Sequence, residues 1–428
     1  MNINTLSISL SVLIISSCAS VETQNYQEVK LAPTKIDYDL IFEKYLEDDW
    51  EKTLSENPLF ATYTGDKRLN NKINSNSIEQ FIADKRSSEE SLILLREIDS
   101  SKLSEENQLN YKLKEFGLLN SIGTQNFPTY YLRLNQRGGI QSFYETGNRL
   151  VYTNKQDYYD WLERLNQFVN NINNFLEINK EGLETGHTQP KLVTRGVISQ
   201  IESITSSDIE SNPYLKVFLE ADENILTTSE KADLISDAKK LIENKINPAY
   251  VELNNFLKNE YLPNSRNSIG IKDIPNGKDY YEFLAKFYTT TNLTPEEIHE
   301  IGLKEIKRIR SEMDEIIQKV NWDGDFNSFL NYLRTSPRFY YDNSEDLFNA
   351  YLIMSKTIDP LLPKIFKTFP RAPYGVIAIP DETAPFTTTA YYNSPSPGRP
   401  GYFYANLYKP ESRPKYEIPV LTVHEAVP

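Results

Sequence analysis

The chain has three histidines, His187, His299 and His424, and a single cysteine, Cys18. Any imidazole chemistry must use those three, and one thiol can form neither an intrachain disulfide nor a thiolate metal cluster. The last residues read Pro419-Val420-Leu421-Thr422-Val423-His424-Glu425-Ala426-Val427-Pro428. An apolar lead-in followed by His-Glu is the opening of the HExxH helix, in which two histidines one turn apart hold zinc and the glutamate acts on bound water. Position i+4 from His424 is Pro428, which ligates nothing, so the match is incomplete. The dipeptide alone says little, because His299-Glu300 repeats it with Leu303 at i+4.

Cys18 matters through its position. Residues 6–15, LSISLSVLII, form an apolar run that is too short for a bilayer span of roughly 20 residues but suits the core of a secretory signal. The run ends in Ile15-Ser16-Ser17-Cys18, which resembles a bacterial lipobox, where Cys18 is lipidated and becomes the new N-terminus. Residues 1–4 hold no Lys or Arg, a departure from the usual signal, and the competing reading is an N-terminal element with an ordinary core cysteine. Residues 1–18 are thus expected to be a lipoprotein signal and 19–36 a polar tether. Ala19 and Ser20 supply no acidic retention residue, which points to the periplasmic face of the outer rather than the inner membrane.

The elements that must position this chemistry are mostly helical. With 39% apolar and 25% charged residues in 428, a sizeable core is available and wholesale disorder is excluded. A net charge of −14 repels phosphate backbones and argues against nucleic-acid binding. Tyr (28) outnumbers Gly (16), which favours aromatic walls over Gly-rich phosphate loops. Apolar residues recur at three- and four-residue steps over 37–50, 78–98, 104–119 and 158–176, the last through Tyr158, Trp161, Leu165, Phe168, Ile172 and Phe175. Thr294-Pro295-Glu296-Glu297 reads as a capping box with proline at the first helical position, and Ile298, Ile301, Ile309, Met313 and Ile316 carry an apolar stripe onward. Residues 371–419 then hold nine of the 23 prolines, too closely spaced for long helices. Short strands are expected at 375–379, 386–392 and 402–408, forming either an assembled site or a surface excursion. The expected fold is mainly α, a single helical body over 37–428 with a few short strands and Pro-rich loops near its end.

The stretch DETAPFTTTAYYNSPSPGRPGYFYANLYKPESRPKYEIPVLTVHEAVP, residues 381–428, resembles the core of the bacterial Domain of Unknown Function 885 family. Further segments are similar to the same family: 57–66, 103–111, 186–200 with HTQPK, and Pro275-Asn276-Gly277 with Tyr280-Tyr281 leading into 293–313. The resemblance implies a zincin-like, metallopeptidase-type body. In that family HEAxP is usually followed by Gly-His-His, so the second zinc ligand would lie past Pro428. His424 is then the first metal ligand and Glu425 the general base, and the chain is expected to be the N-terminal part of a longer enzyme, inactive as it stands. Adjacent helical residues point about 100° apart, so Glu425 cannot easily join His424 on one metal.

The implied chemistry is zinc-assisted hydrolysis of a peptide substrate, with Tyr391, Tyr392 or Tyr404 as oxyanion donor or as part of an aromatic wall. Zincins commonly set an edge strand beside the metal helix, which makes 402–408 the expected substrate edge, with Gly401, Tyr402 and Asn406 against the substrate. Arg399 could fork onto a substrate carboxylate or close a loop salt bridge. His299 sits in the first turns of a helix, where capping or packing competes with a site role, and His187 follows Gly186 in a loop. Two classes remain: a membrane-tethered zinc peptidase, and a noncatalytic envelope lipoprotein that uses a peptidase-like cleft for binding.

If the lipobox is read correctly, Cys18→Ser leaves an unprocessed or lipid-free protein. Metabolic labelling with a tagged fatty acid checks this, and label retained by the Ser variant would refute it.

Overall fold

The computed structural model describes residues 36–379, 384–395 and 400–426. The first unit contains α1 (Tyr38–Glu56), α2 (Pro58–Tyr63), α3 (Ile78–Arg96) and α4 (Glu105–Thr124). Asp37, Ser77 and Ser104 cap α1, α3 and α4 through their side-chain oxygens. α1, α3 and α4 close over Phe42, Leu92, Leu95, Leu103, Tyr111 and Leu118. The helix expected at 37–50 runs on to Glu56, and Asn57-Pro58 ends it as the sequence indicates.

The main core is built on α6 (Lys155–Glu184), which follows the short α5 (Tyr144–Arg149). Asn154 and Asp157 form a reciprocal capping box at its start. Tyr158, Trp161, Leu165, Phe168, Ile172 and Phe175 lie buried along one side, as their spacing requires. Against them pack α7 (Lys191–Thr205), through Val197, Ile198 and Ile201, and the short α8 (Lys216–Leu219).

A long helical rod completes this core: α9 (Thr228–Leu241), α10 (Asn247–Phe256) and α11 (Leu262–Asn264), joined by π-helical turns at Ile242–Ile246 and Leu257–Tyr261. Each wide turn ends two residues before a proline, Pro248 and Pro263. A proline inside an α-helix removes one ladder hydrogen bond and crowds the carbonyl of residue i−4. The extra residue in each π turn makes that room, so the rod continues and keeps Ile242, Ile246, Tyr250, Leu253, Leu257 and Tyr261 fully buried on the side toward α6.

Arg164 on α6 joins the two units. It is completely buried, and its guanidinium donates to the carbonyls of Lys72 (2.8 Å), Pro58 (3.2 Å) and Leu69 (3.3 Å) and to the Thr62 hydroxyl (2.6 Å). Burial holds its pKa down to about 10, with Asp160 opposing. The oxygens of the 58–72 segment thus replace the water lost at Nε and Nη2, while Nη1 is buried without a hydrogen-bond partner among the described residues.

The chain then forms α12 (Gly277–Thr289), α13 (Pro295–Lys319), α14 (Phe326–Thr335) and α15 (Ser344–Ile358). The Thr294–Glu297 capping box is present as expected, with Thr294 N–H bonded to Glu297 Oε2 at 2.8 Å. A three-stranded sheet follows, β1 (Tyr374–Ala378), β2 (Ala390–Asn393) and β3 (Gly401–Ala405), and α16 (Ile418–Ala426) ends the described chain. The strands are shorter than expected: 384–386 is a 3₁₀ turn, and β3 stops at Ala405. No described helix is long and apolar enough to cross a membrane.

Arg164→Met removes four hydrogen bonds from the interior, although Leu69 O, Pro58 O and the Thr62 hydroxyl keep their bonds to Lys72, Thr62 and Asn70, with an expected loss of about 3 kcal/mol of stability. Thermal unfolding checks this, with exposed Arg308→Met expected to leave the melting temperature unchanged.

Candidate functional site

The sheet order is β1-β3-β2, with β3 parallel to β1 and antiparallel to β2. The Gly401 N–H bonds the Pro373 carbonyl and the Ile379 N–H bonds the Ala405 carbonyl, so the odd residues of β3 face β1. The Asn406 N–H bonds the Thr389 carbonyl at 3.1 Å, so the even residues face β2. No backbone group of β3 is left for a further strand. This corrects the expectation of a substrate edge at 402–408: the segment is central and paired on both sides. The alternation leaves Ala390 and Tyr392 of β2 with their N–H and C=O directed away from β3, at an edge that no strand pairs among the described residues.

Residue alternation also sorts the tyrosines. Val376, Phe403, Ala405, Ala390 and Tyr392 lie on the face covered by α15 and α16, in a cluster with Leu347, Tyr351, Ile418 and Ala426. Tyr391, Tyr402 and Tyr404 lie on the opposite face, half-buried, with Tyr391 and Tyr404 stacked at 4.7 Å. Burial and the neighbouring Tyr404 push the Tyr391 hydroxyl up, while the Arg149 guanidinium near it acts the other way. Tyr392 and Tyr404 therefore cannot serve one oxyanion together, and Tyr404 is on the face away from α16.

Gly401 and Asn406 do structural work. A Cβ on Gly401 would sit 1.8 Å from the Tyr392 hydroxyl, so the glycine is where that ring closes down on β3. Asn406 is fully buried; its amide donates to the carbonyls of Ala384 (2.8 Å), Thr387 (3.2 Å) and Thr388 (3.0 Å), and its oxygen accepts from the Tyr408 N–H. It ties the 384–389 loop to the end of β3 and touches no open surface, which corrects its assignment to substrate. Tyr402 pairs with Gly375 and Asn393 on the tyrosine face.

On α16, Ile418, Thr422 and Ala426 are buried at i, i+4 and i+8, and this stripe packs against β2 and β3. His424 lies about 200° around the helix from Thr422 and is exposed beside Val420 and Val423, while Glu425 is half-buried. His299 is exposed on α13. His187 is 8% exposed; its Nδ1 is 3.0 Å from the Thr185 hydroxyl, and burial lowers its pKa. It lies in a small pocket with Pro275 and Tyr280, so the 186–200 and 275–281 segments meet there. Among the described residues no group of three or more His, Cys, Asp or Glu could hold a metal. One exposed imidazole does not fit a zinc centre, which takes three or four protein ligands. Arg399, Cys18 and Val427-Pro428 lie outside the described residues.

A mainly helical body with a small mixed sheet beside a His-Glu helix is the class of protein that this geometry defines. The chain belongs to the family described as "Bacterial protein of unknown function (DUF885)", which matches residues 58–428. Its fold is shared with a "putative lipoprotein" from Colwellia psychrerythraea, at 23% identity and TM-score 0.79, over 92% of this chain and 72% of that one. A "putative lipoprotein of unknown function" from Shewanella oneidensis matches at 15% identity and TM-score 0.65, over 90% of this chain and 70% of its own. No curated protein matches the chain.

The exposure of His424 without companions sets an expected outcome for calorimetric titration with zinc, namely binding no tighter than that of a surface histidine. A stoichiometric site of micromolar affinity or better, lost in His424→Ala, would overturn it.

Proposed function

We propose that the chain is a cell-envelope protein, held at the membrane through lipid on Cys18, that takes an extended polypeptide along the open edge of β2. The observation that carries this reading is the ladder phase: Ala390 and Tyr392 direct their backbone donors and acceptors outward, on the strand against which the His424 helix packs. An added strand would find hydrogen-bond partners there, as in β-augmentation. The half-buried tyrosines give its side chains an amphipathic wall on one face. The lipobox-like run 15–18 and the designation of both fold neighbours as lipoproteins support the anchor.

Binding fits the described residues better than hydrolysis. A zinc peptidase, the activity that the family motif at His424-Glu425 implies, needs at least two more ligands than these residues bring together. The peptide-binding reading needs none of them.

Amide hydrogen exchange at residues 390–393 tests the proposal, with a tryptic digest of envelope proteins as the probe. Exchange at Ala390 and Tyr392 is expected to slow on addition of the digest. Tyr392→Pro removes one outward N–H and should abolish the protection, and circular dichroism and thermal unfolding of the variant check that the fold survives the loss of the Tyr392 ring. Unchanged exchange at this edge across the digest would sink the reading.

A further inference from the structure

The His187 ring closes a contact between the main core and the segment that leads into α12, and its neighbours reveal which nitrogen holds the proton. The Thr185 hydroxyl lies 3.0 Å from Nδ1 and donates its own proton to the Glu181 carbonyl at 2.9 Å. Its oxygen can then only accept from the ring, which places the proton on Nδ1 and leaves Nε2 as a bare lone pair. Nε2 is buried, and no described residue bonds to it. The cavity beside it measures about 10 Å³ and is walled by Phe127, Pro128, Leu132, Ile274 and Pro275. That is marginal room for one water, between walls that offer too few polar partners to hold it.

The other side of the contact is a tight turn. The 3₁₀ turn Ile271–Asp273 runs on to Asn276, whose φ of 55° is left-handed, and to Gly277, where a Cβ would lie 2.0 Å from the Ile271 carbonyl oxygen. Ile274 and Pro275 are thereby set against His187, and a Cβ on Gly186 would come within 3.6 Å of Pro275. Beyond the turn, α12 buries only Gly277 and rests on Phe127 through the rings of Tyr280 and Phe283. We propose that this contact is a pH-sensitive clasp, in which a second proton on His187 releases the 271–277 turn and the first turn of α12 from the core, so that water reaches Nε2.

A proton added at Nε2 becomes a donor aimed at carbon, on a ring that then carries a charge. The groups around it do not compensate. From α6, the Glu181 carboxylate is taken up by the Tyr131 hydroxyl. Tyr131, on the 3₁₀ turn Thr129–Leu132, packs its ring on the imidazole at 5.2 Å, which softens a charge without giving Nε2–H an acceptor. Tyr280 lines the cavity from α12, and Arg266 brings like charge, its guanidinium bonded to the Thr188 carbonyl at 2.8 Å. Burial accordingly holds the closed imidazole below its ordinary value of 6.5, with the Thr185 bond opposing. Above about pH 6.5 closure carries no protonation penalty. As the pH falls below that value the open form takes up the proton and gains, by at most about thirtyfold at about pH 5.

Amide hydrogen exchange on the full-length chain tests the clasp, corrected for the intrinsic pH dependence of exchange. Opening at residues 271–281 is expected to rise about tenfold between about pH 7.5 and about pH 5, with the amides of α9 as the internal reference. His187→Phe keeps a ring packed on Tyr131 without a titrating group, and should abolish the rise. A second readout does not depend on how well that variant packs. In parent protein labelled with ¹⁵N at histidine, the His187 imidazole should show the Nδ1–H tautomer and titrate below 6.5. No rise in the parent, a rise that survives His187→Phe, or an Nε2–H tautomer would overturn the proposal.

Discussion

The buried guanidinium of Arg164 is the point on which the two helical units depend. It sits on α6, the helix that organises the main core, and reaches three carbonyls and a hydroxyl of the 58–72 segment. Lys67 adds a second tie, its ammonium 2.6 Å from Asp157 in the capping box of the same helix. Asp157 is held below the usual carboxylate range because its bonds to Lys67 and Thr153 outweigh the burial that opposes them. A lysine in place of Arg164 could not span four acceptors, because its ammonium is a point donor and the guanidinium is a planar fork. The first unit is therefore held over the core by a row of polar contacts along α6, from Asp157 through Asp160, Arg164 and Gln167 to Asn171, of which the fully buried Arg164 makes four.

The C-terminal region is governed by strand alternation. Once Asn406 pins the 384–389 loop, β2 can pair with β3 in one phase only. That phase decides which tyrosines face α15 and α16, and which backbone groups face out. A slip of one residue would exchange the two faces and bury the polar side of the sheet. The close approach at Gly401 enforces the same register, since only a residue without a Cβ accepts the Tyr392 hydroxyl over β3.

Much of the helical architecture is legible in the sequence because it is local. The stripe from Tyr158 to Phe175, the caps at Asp37, Ser77 and Ser104, and the Thr294 capping box are all set by residues within a few positions of one another. The π turns before Pro248 and Pro263 were open to the same logic, as an apolar stripe that continues through a proline requires an extra residue. The sheet is different. Whether β3 is an edge depends on strands up to 27 positions away, Tyr374 to Gly401, and no periodicity within GYFYAN reveals it. Asn406 looks like a site residue in sequence because a polar side chain follows an aromatic strand. Its burial, and the carbonyls that it bonds, come from the folding back of the loop. The stripe on α13 was legible as a stripe, and its exposure was not, because amphipathicity states which side is apolar but not what covers it.

The shortness of β2 sets the character of the proposed contact. Pro385 and Pro395 bracket the strand region, and only Ala390 and Tyr392 turn both backbone groups outward. An added strand can thus form at most four main-chain hydrogen bonds, each contributing about 1 kcal/mol net. Ordering the incoming backbone costs about 1–2 kcal/mol per residue, so these bonds roughly offset the ordering of the residues that make them. Any surplus must come from side chains that seat against the tyrosine face and the α16 side of the sheet. An edge of this kind resists indiscriminate pairing, since a generic strand gains nothing from it, and it discriminates by the alternate side chains of the polypeptide that it receives.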